Sequence, residues 1–120
     1  MKEIIGKRPA FKTGSQLVRD IDPSDIDIVV LMEDWAVIET IRQMEEWDSW
    51  DTSLDKDPRF VSLRRGKVNY ILTPEVEMFF RFKAYSGALE YLQIKDKDAR
   101  VDLSIACLYA ESALAVGDVG

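Results

Sequence analysis

The chain contains no histidine. That absence removes Ser-His-Asp and Cys-His catalysis, the His-Glu-x-x-His metalloprotease pattern, and the imidazole ligands of most catalytic zinc sites. A single cysteine, Cys107, excludes an intrachain disulfide and a cysteine metal cluster. No stretch approaches the roughly 20 apolar residues a membrane span needs. The first residues, Met1 to Pro9, lack the long apolar region of a signal peptide. The expectation is a soluble protein of a reducing compartment, cytoplasmic, with no membrane partner. There is no internal repeat, low-complexity tract or Gly/Ser linker, so one domain is expected over residues 1–120. Chemistry is left to carboxylates, hydroxyls, amides, Lys, Arg and a borrowed ion. Mg²⁺ or Mn²⁺ suits such an oxygen-only set best.

Hydrophobic residues make up 47% of the 120, enough for a core, and 32% are charged. The net charge of −6 is segregated. Residues 21–57 carry twelve Asp/Glu against two Lys/Arg, whereas residues 1–20 and 58–100 are net basic. Acids that hold an ion between bases that hold phosphates would use this layout. A solvated acidic loop with scattered surface lysines would show the same charge pattern.

Hydropathy and breaker residues order the elements. Pro9 to Thr13 is β-compatible and stops at Gly14-Ser15, and Asp20 to Ser24 reads as a turn. Residues 25–31 (Asp-Ile-Asp-Ile-Val-Val-Leu) have the branching and length of a buried strand. Helical spacing of Val37, Ile38, Ile41 and Met44 predicts a helix over 34–47, followed by a loop from Asp48 to Pro58. Residues 59–64 and 67–72 flank Arg65-Gly66 as a hairpin. Thr73 is the predicted N-cap of a helix with Pro74 in its first position. Its expected buried stripe is Val76, Phe79, Phe80, Ala84, Gly87, Ala88, Tyr91 and Leu92. A last helix, over roughly 98–116, carries two apolar stripes and could be buried on two sides or sit at an oligomer contact. The fold class is α+β, a small mixed β-sheet with helices packed on it.

Two short signals carry chemistry. Gly14-Ser15 ends one strand, and Asp25-Ile26-Asp27 opens the next after nine intervening residues. Alternation puts Asp25 and Asp27 side by side on one face, with Ile26, Ile28 and Val30 on the other. Two such carboxylates repel, and a divalent cation removes that cost. A glycine admits a phosphate close to the backbone, and a serine hydroxyl can donate to it. Each signal alone is common.

Taken together, the run from Gly14 to Val30 resembles the signature of the polymerase-beta-type nucleotidyltransferase superfamily: Gly-Ser after a strand, a spacer, then Ser-Asp-hydrophobic-Asp opening the next strand. It is most similar to the minimal nucleotidyltransferases, including antitoxin-type and small stand-alone phage or prokaryotic members. The resemblance implies a nucleotidyltransferase-like sheet and metal-dependent transfer of NMP from an NTP, ATP first among them, to a hydroxyl of RNA, protein or a small molecule. It implies Mg²⁺ or Mn²⁺ at Asp25 and Asp27, and triphosphate contacts from Gly14 and Ser15, with Arg19 and Ser24 in the same loop. Lys83 could add a helical phosphate contact or could snorkel to water at the stripe edge. Arg100, near a helix N-terminus, could bind an anion or belong to a solvated helix start.

The family's third carboxylate, the general base of active members, falls by resemblance at Asn69. An amide accepts no proton at neutral pH and ligates Mg²⁺ only through its carbonyl. Another acid, Glu75 or Glu77, could reach the site, or the domain could bind a nucleotide or a protein and transfer nothing. A non-catalytic, antitoxin-like or phage–host interaction module is therefore the alternative to an enzyme. An α+β domain whose signature is coincidental is the third reading. Only 13 residues precede Gly14, and Pro9 breaks them, which leaves one side of the sheet less covered and favours a homodimer or a protein partner. Trp35, Trp47 and Trp50 lie in the acidic block, where a polyanion is repelled, and are expected as core or interface anchors.

Overall fold

The structure is a computed structural model and describes residues 2–23, 25–44, 46–54 and 56–109. Its elements in chain order are α1 (Lys2–Ile5), β1 (Ala10–Thr13), a 3₁₀ turn (Gly14–Leu17), β2 (Ile26–Leu31), α2 (Trp35–Met44), β3 (Ser49–Thr52), β4 (Val61–Arg65), β5 (Val68–Thr73), α3 (Val76–Leu92) and α4 (Lys97–Leu108). The five strands form one mixed sheet in the order β1-β2-β5-β4-β3. Only β2 and β5 run parallel. This is the α+β class the element order predicts. Among the described residues no helix is long and apolar enough to cross a membrane.

Alternation along the strands builds two cores on opposite faces of the sheet. On one face Val30, Val61, Leu63, Tyr70 and Leu72 pack with Ile4 of α1 and Ile38 of α2. On the other, Val29 and Ile71 pack with Met78, Phe79 and Phe82 of α3 and Leu108 of α4. A third cluster joins Val18, Tyr85 and Leu89, with Leu103 and Cys107 of α4 against it. Local chemistry starts the helices: the Asp34 carboxylate accepts from Val37 N at 2.9 Å, and Asp96 caps α4 through Ala99 N at 2.9 Å.

Four expectations are corrected. Residues 49–52, assigned to a loop, form the edge strand β3, paired with β4 at Ser49↔Arg64 through Thr52↔Val61. Residues 2–5 form a helical turn that places Ile4 in the core, so the sheet face near the N-terminus is covered there. Thr73 closes β5 instead of capping α3, because it pairs with Leu31 and its carbonyl accepts from Met32 N. Its hydroxyl still receives Glu75 N at 3.1 Å, and α3 starts two residues beyond Pro74. Finally, α3 buries Met78, Phe79, Phe82, Tyr85, Ser86 and Leu89, and of the expected stripe only Phe79 is among them. Val76, Phe80, Tyr91 and Leu92 are exposed. The helix is apolar on both sides, so periodicity alone does not select its inner face. The last helix is described to Leu108, and its predicted extension to 116 lies outside the described residues.

Candidate functional site

Strand register aligns one row of residues across the whole sheet. Thr13 is opposite Asp27, Asp27 opposite Asn69, Asn69 opposite Arg64, and Arg64 opposite Ser49. The row lies on the α3 face, since it shares parity with Val29 and Ile71. α3 reaches the row at its β1 end, where Thr13 Oγ1 and Ser86 Oγ meet at 2.6 Å. Beyond that contact a cleft of about 370 Å³ opens, lined by Asp25, Ser49, Trp50, Asp51, Ser62, Arg64 and Asn69.

Gly14 and Asn69 each lie against the Asp27 carboxylate. Gly14 has φ +80°, a left-handed conformation, and a Cβ there would overlap Asp27 Oδ2. Both facts favour glycine. Ser15 sits in the 3₁₀ turn, with its carbonyl accepting from Val18 N at 3.0 Å. Gln16 Nε2 donates to Thr13 O and to Asp27 O, each at 2.7 Å, which locks the turn to the start of β2. At the other end of the loop, Gln93 donates to Leu17 O at 3.0 Å and its Oε1 receives Arg19 N at 2.7 Å. Gln93 holds a positive φ of 53° to do so.

The two carboxylates have separate partners. Asn69 Nδ2 donates to Asp27 Oδ1 at 3.2 Å, and the Arg64 guanidinium forms an ion pair with Asp25 Oδ1. Arg64 Nε is buried with no hydrogen-bond partner among the described residues, a donor left over beside the cleft. Burial pushes the Asp27 carboxyl above its ordinary value. The Asn69 hydrogen bond pulls it back, Asp25 adds upward, and Arg64 draws it down. Burial also raises Tyr85, a phenol within electrostatic reach of Arg100 and Asp27. Cys107 is half-buried against the Val18–Tyr85–Leu89 cluster, and burial pushes its thiol up.

Other candidates lie elsewhere. Arg100 Nη1 donates to Lys95 O at 2.6 Å and Ile94 O at 3.3 Å, tying down the turn before α4. Lys83 is exposed, one position round α3 from buried Phe82. Arg19 is exposed and is fixed through its backbone. Ser24 lies outside the described residues. Glu75 and Glu77 pair with Arg59 at 3.3 and 3.2 Å, at the opposite end of β5 from Asn69. Neither supplies the missing acid. Of the tryptophans, Trp47 packs edge-on to Tyr70 at 6.1 Å, while Trp35 and Trp50 are exposed.

Arg64 is the functional candidate the sequence reading missed. A turn at Arg65-Gly66 hides it, whereas the observed turn at Gly66-Lys67 sets Arg65↔Val68 and so Arg64↔Asn69. Once that register is fixed, alternation with buried Val61 and Leu63 points Arg64 to the face of Asp27.

The oxygen donors available for a divalent cation here are the carboxylates of Asp25 and Asp27, while Asn69 presents its Nδ2, not its carbonyl, to Asp27. Among the described residues no group of three or more carboxylate or cysteine side chains converges. The set therefore falls short of what a pair of ions needs.

The raised Asp27 gives a stability prediction. Ionised Asp27 opposes folding at pH values above its raised folded-state value, and the opposition fades as pH falls through it, since the folded state takes up the proton first. Asp27→Asn is expected to melt higher than the parent at pH 7 without divalent ions. The advantage should vanish below about pH 4, where the carboxyl is protonated folded or unfolded. Thermal melts across that range check it. An Asp27→Asn variant less stable at pH 7 would show that the carboxylate is a net stabiliser.

Comparison with protein-family models, with curated proteins and with solved structures gave no match.

Proposed function

We propose that this chain is a nucleotidyltransferase-like domain that binds an NTP, ATP first among them, and does not transfer the nucleotidyl group. Gly14 and Ser15 receive the phosphates, Asp25 and Asp27 hold one Mg²⁺ or Mn²⁺, and Arg64 supplies a cationic contact from the opposite side of the cleft. A bound divalent ion would neutralise the two carboxylates and draw phosphate oxygens to them. Support comes from the placement of Gly14 against Asp27 and from the left-over Arg64 Nε–H beside a polar cleft.

The observation that favours binding without transfer is that the residue in register with Asp27 is Asn69, which donates a hydrogen bond where a general base would accept a proton. Glu75 and Glu77 are engaged with Arg59 and do not replace it. Without a base the attacking hydroxyl keeps its proton.

Isothermal titration of the protein with ATP and Mg²⁺ tests the binding. Saturable heat that is lost in Asp25→Ala and in Arg64→Ala is expected. Absence of heat with all four NTPs would remove nucleotide from the proposal and leave a protein-interaction module. Label transfer from [α-³²P]ATP by the parent, abolished in Asp27→Ala, would instead make it an enzyme.

A further inference from the structure

We propose that the outward face of α3 pairs two copies of this chain as an antiparallel helix dimer. The face is unusual for a helix whose other side is buried. Phe80, Ala84, Gly87 and Tyr91 follow one another at spacings of four, three and four, a single stripe opposite Phe82 and Leu89. Val76, Phe80, Tyr91 and Leu92 are 54–87% exposed. Large side chains stand at the two ends of the stripe, and Ala84 and Gly87 form its centre.

Among the described residues Gly87 has no explanation within one chain. It lies mid-helix without a positive φ, and a Cβ there would meet nothing within 4 Å. A helix-interior glycine weakens the helix relative to alanine, so an open site for a methyl group makes the glycine a local cost. Close approach of a second helix backbone is the physical use such a residue has.

Charge identifies the second helix. Lys83 and Glu90 are both exposed, and seven residues place them on the same flank, close to two turns apart. In an antiparallel pair centred between residues 86 and 87, each flank faces its own copy. Lys83 of one chain then lies level with Glu90 of the other, and the contact occurs twice. The same centring sets Phe80 against the far end of the partner's stripe, near Tyr91 and Leu92. On the other flank Glu77 and Arg81 already pair with each other at 3.0 Å. The stripe is therefore self-complementary in both size and charge, as a two-fold interface requires. One helix face buries less than a standard interface of about 1,200–2,000 Å² in total, so the dimer is a weak one.

Sedimentation equilibrium on the full chain tests this. A monomer–dimer equilibrium with Kd of roughly 10–100 μM is expected for so small an interface. Lys83→Glu should weaken it about tenfold by setting like charges opposite each other, and Lys83→Glu/Glu90→Lys should restore it. Gly87→Leu should abolish pairing while a dilute sample keeps its circular dichroism and melting behaviour. A chain that stays monomeric to about 0.5 mM, well above that Kd, overturns the proposal and leaves the face to another partner or to residues 110–120. So does a dimer indifferent to Gly87→Leu, or a charge reversal that the double variant fails to rescue.

Discussion

Asn69→Asp is expected to make this protein's stability depend on divalent cations. In the parent, the Asn69 amide donates to Asp27 Oδ1 and holds down a carboxyl that burial pushes up. The substitution removes that donor and puts a second carboxylate opposite the first. The pair would then resist full ionisation and titrate together. Because the folded-state value rises, the penalty is present at neutral pH and fades as pH falls and the pair takes up a proton. Loss of a half-buried charge-assisted hydrogen bond and the added repulsion should cost about 2–4 kcal/mol at pH 7 without metal. Millimolar Mg²⁺ or Mn²⁺ should recover much of it, since an ion bound only by the folded state at a hundred times its Kd contributes about 2.7 kcal/mol. The parent should show a smaller metal-induced shift. Label transfer from ATP, absent in the parent, should appear in the variant. Melting that is indifferent to Mg²⁺ would mean that Asp25, Asp27 and position 69 do not converge on a common ion, and the nucleotidyltransferase-like proposal would fall with it.

The same electrostatics describes how the parent holds an acidic pair together. Asp25 takes its counter-charge from Arg64 on β4, and Asp27 takes a neutral donor from Asn69 on β5. Both partners come from the hairpin that follows the acidic segment, and only Asp25 has its charge offset by a cation. A cation bound beside Asp25 would have to compete with the Arg64 guanidinium already paired there.

Much of this was legible in the chain. The alternation of residues 25–31 located β2 and put Asp27 on the face away from Val30, and Gly14 was picked out by its place after a strand. What the sequence hid has specific causes. Residues 49–52, Ser-Trp-Asp-Thr, have the composition of a loop and become a strand only because β4 offers an edge to pair with. Ile26, expected in the core, is 38% exposed at the first residue of β2. In α3 the stripe was assigned to the wrong side: two apolar faces compete, and burial goes to the one bearing Met78, Phe82 and Leu89. Arg64 was hidden by a one-residue difference in where the hairpin turns.

Gly14→Ala should do more damage than its size suggests. Two separate terms act at this position. The left-handed backbone, φ +80°, disfavours any residue with a Cβ by about 1–2 kcal/mol. The new methyl would also overlap Asp27 Oδ2, and moving that carboxylate breaks its bond to Asn69, for about 1–2 kcal/mol more. Gly66→Ala separates the terms. Gly66 also has a positive φ, +61°, but a Cβ there meets nothing within 4 Å, so only the backbone cost of about 1–2 kcal/mol is expected. Urea denaturation should therefore rank Gly14→Ala below Gly66→Ala, and ATP binding should be lost only in the former. A double-mutant cycle gives the sharper result. In Asp27→Ala the obstructing oxygen is gone, so adding Gly14→Ala should cost about 1–2 kcal/mol less than it does in the parent. Equal costs in the two backgrounds, or equal costs at Gly14 and Gly66, would mean that the Asp27 carboxylate does not rest against the Gly14 backbone. The phosphate-receiving turn and the acidic pair would then be neighbours in sequence only.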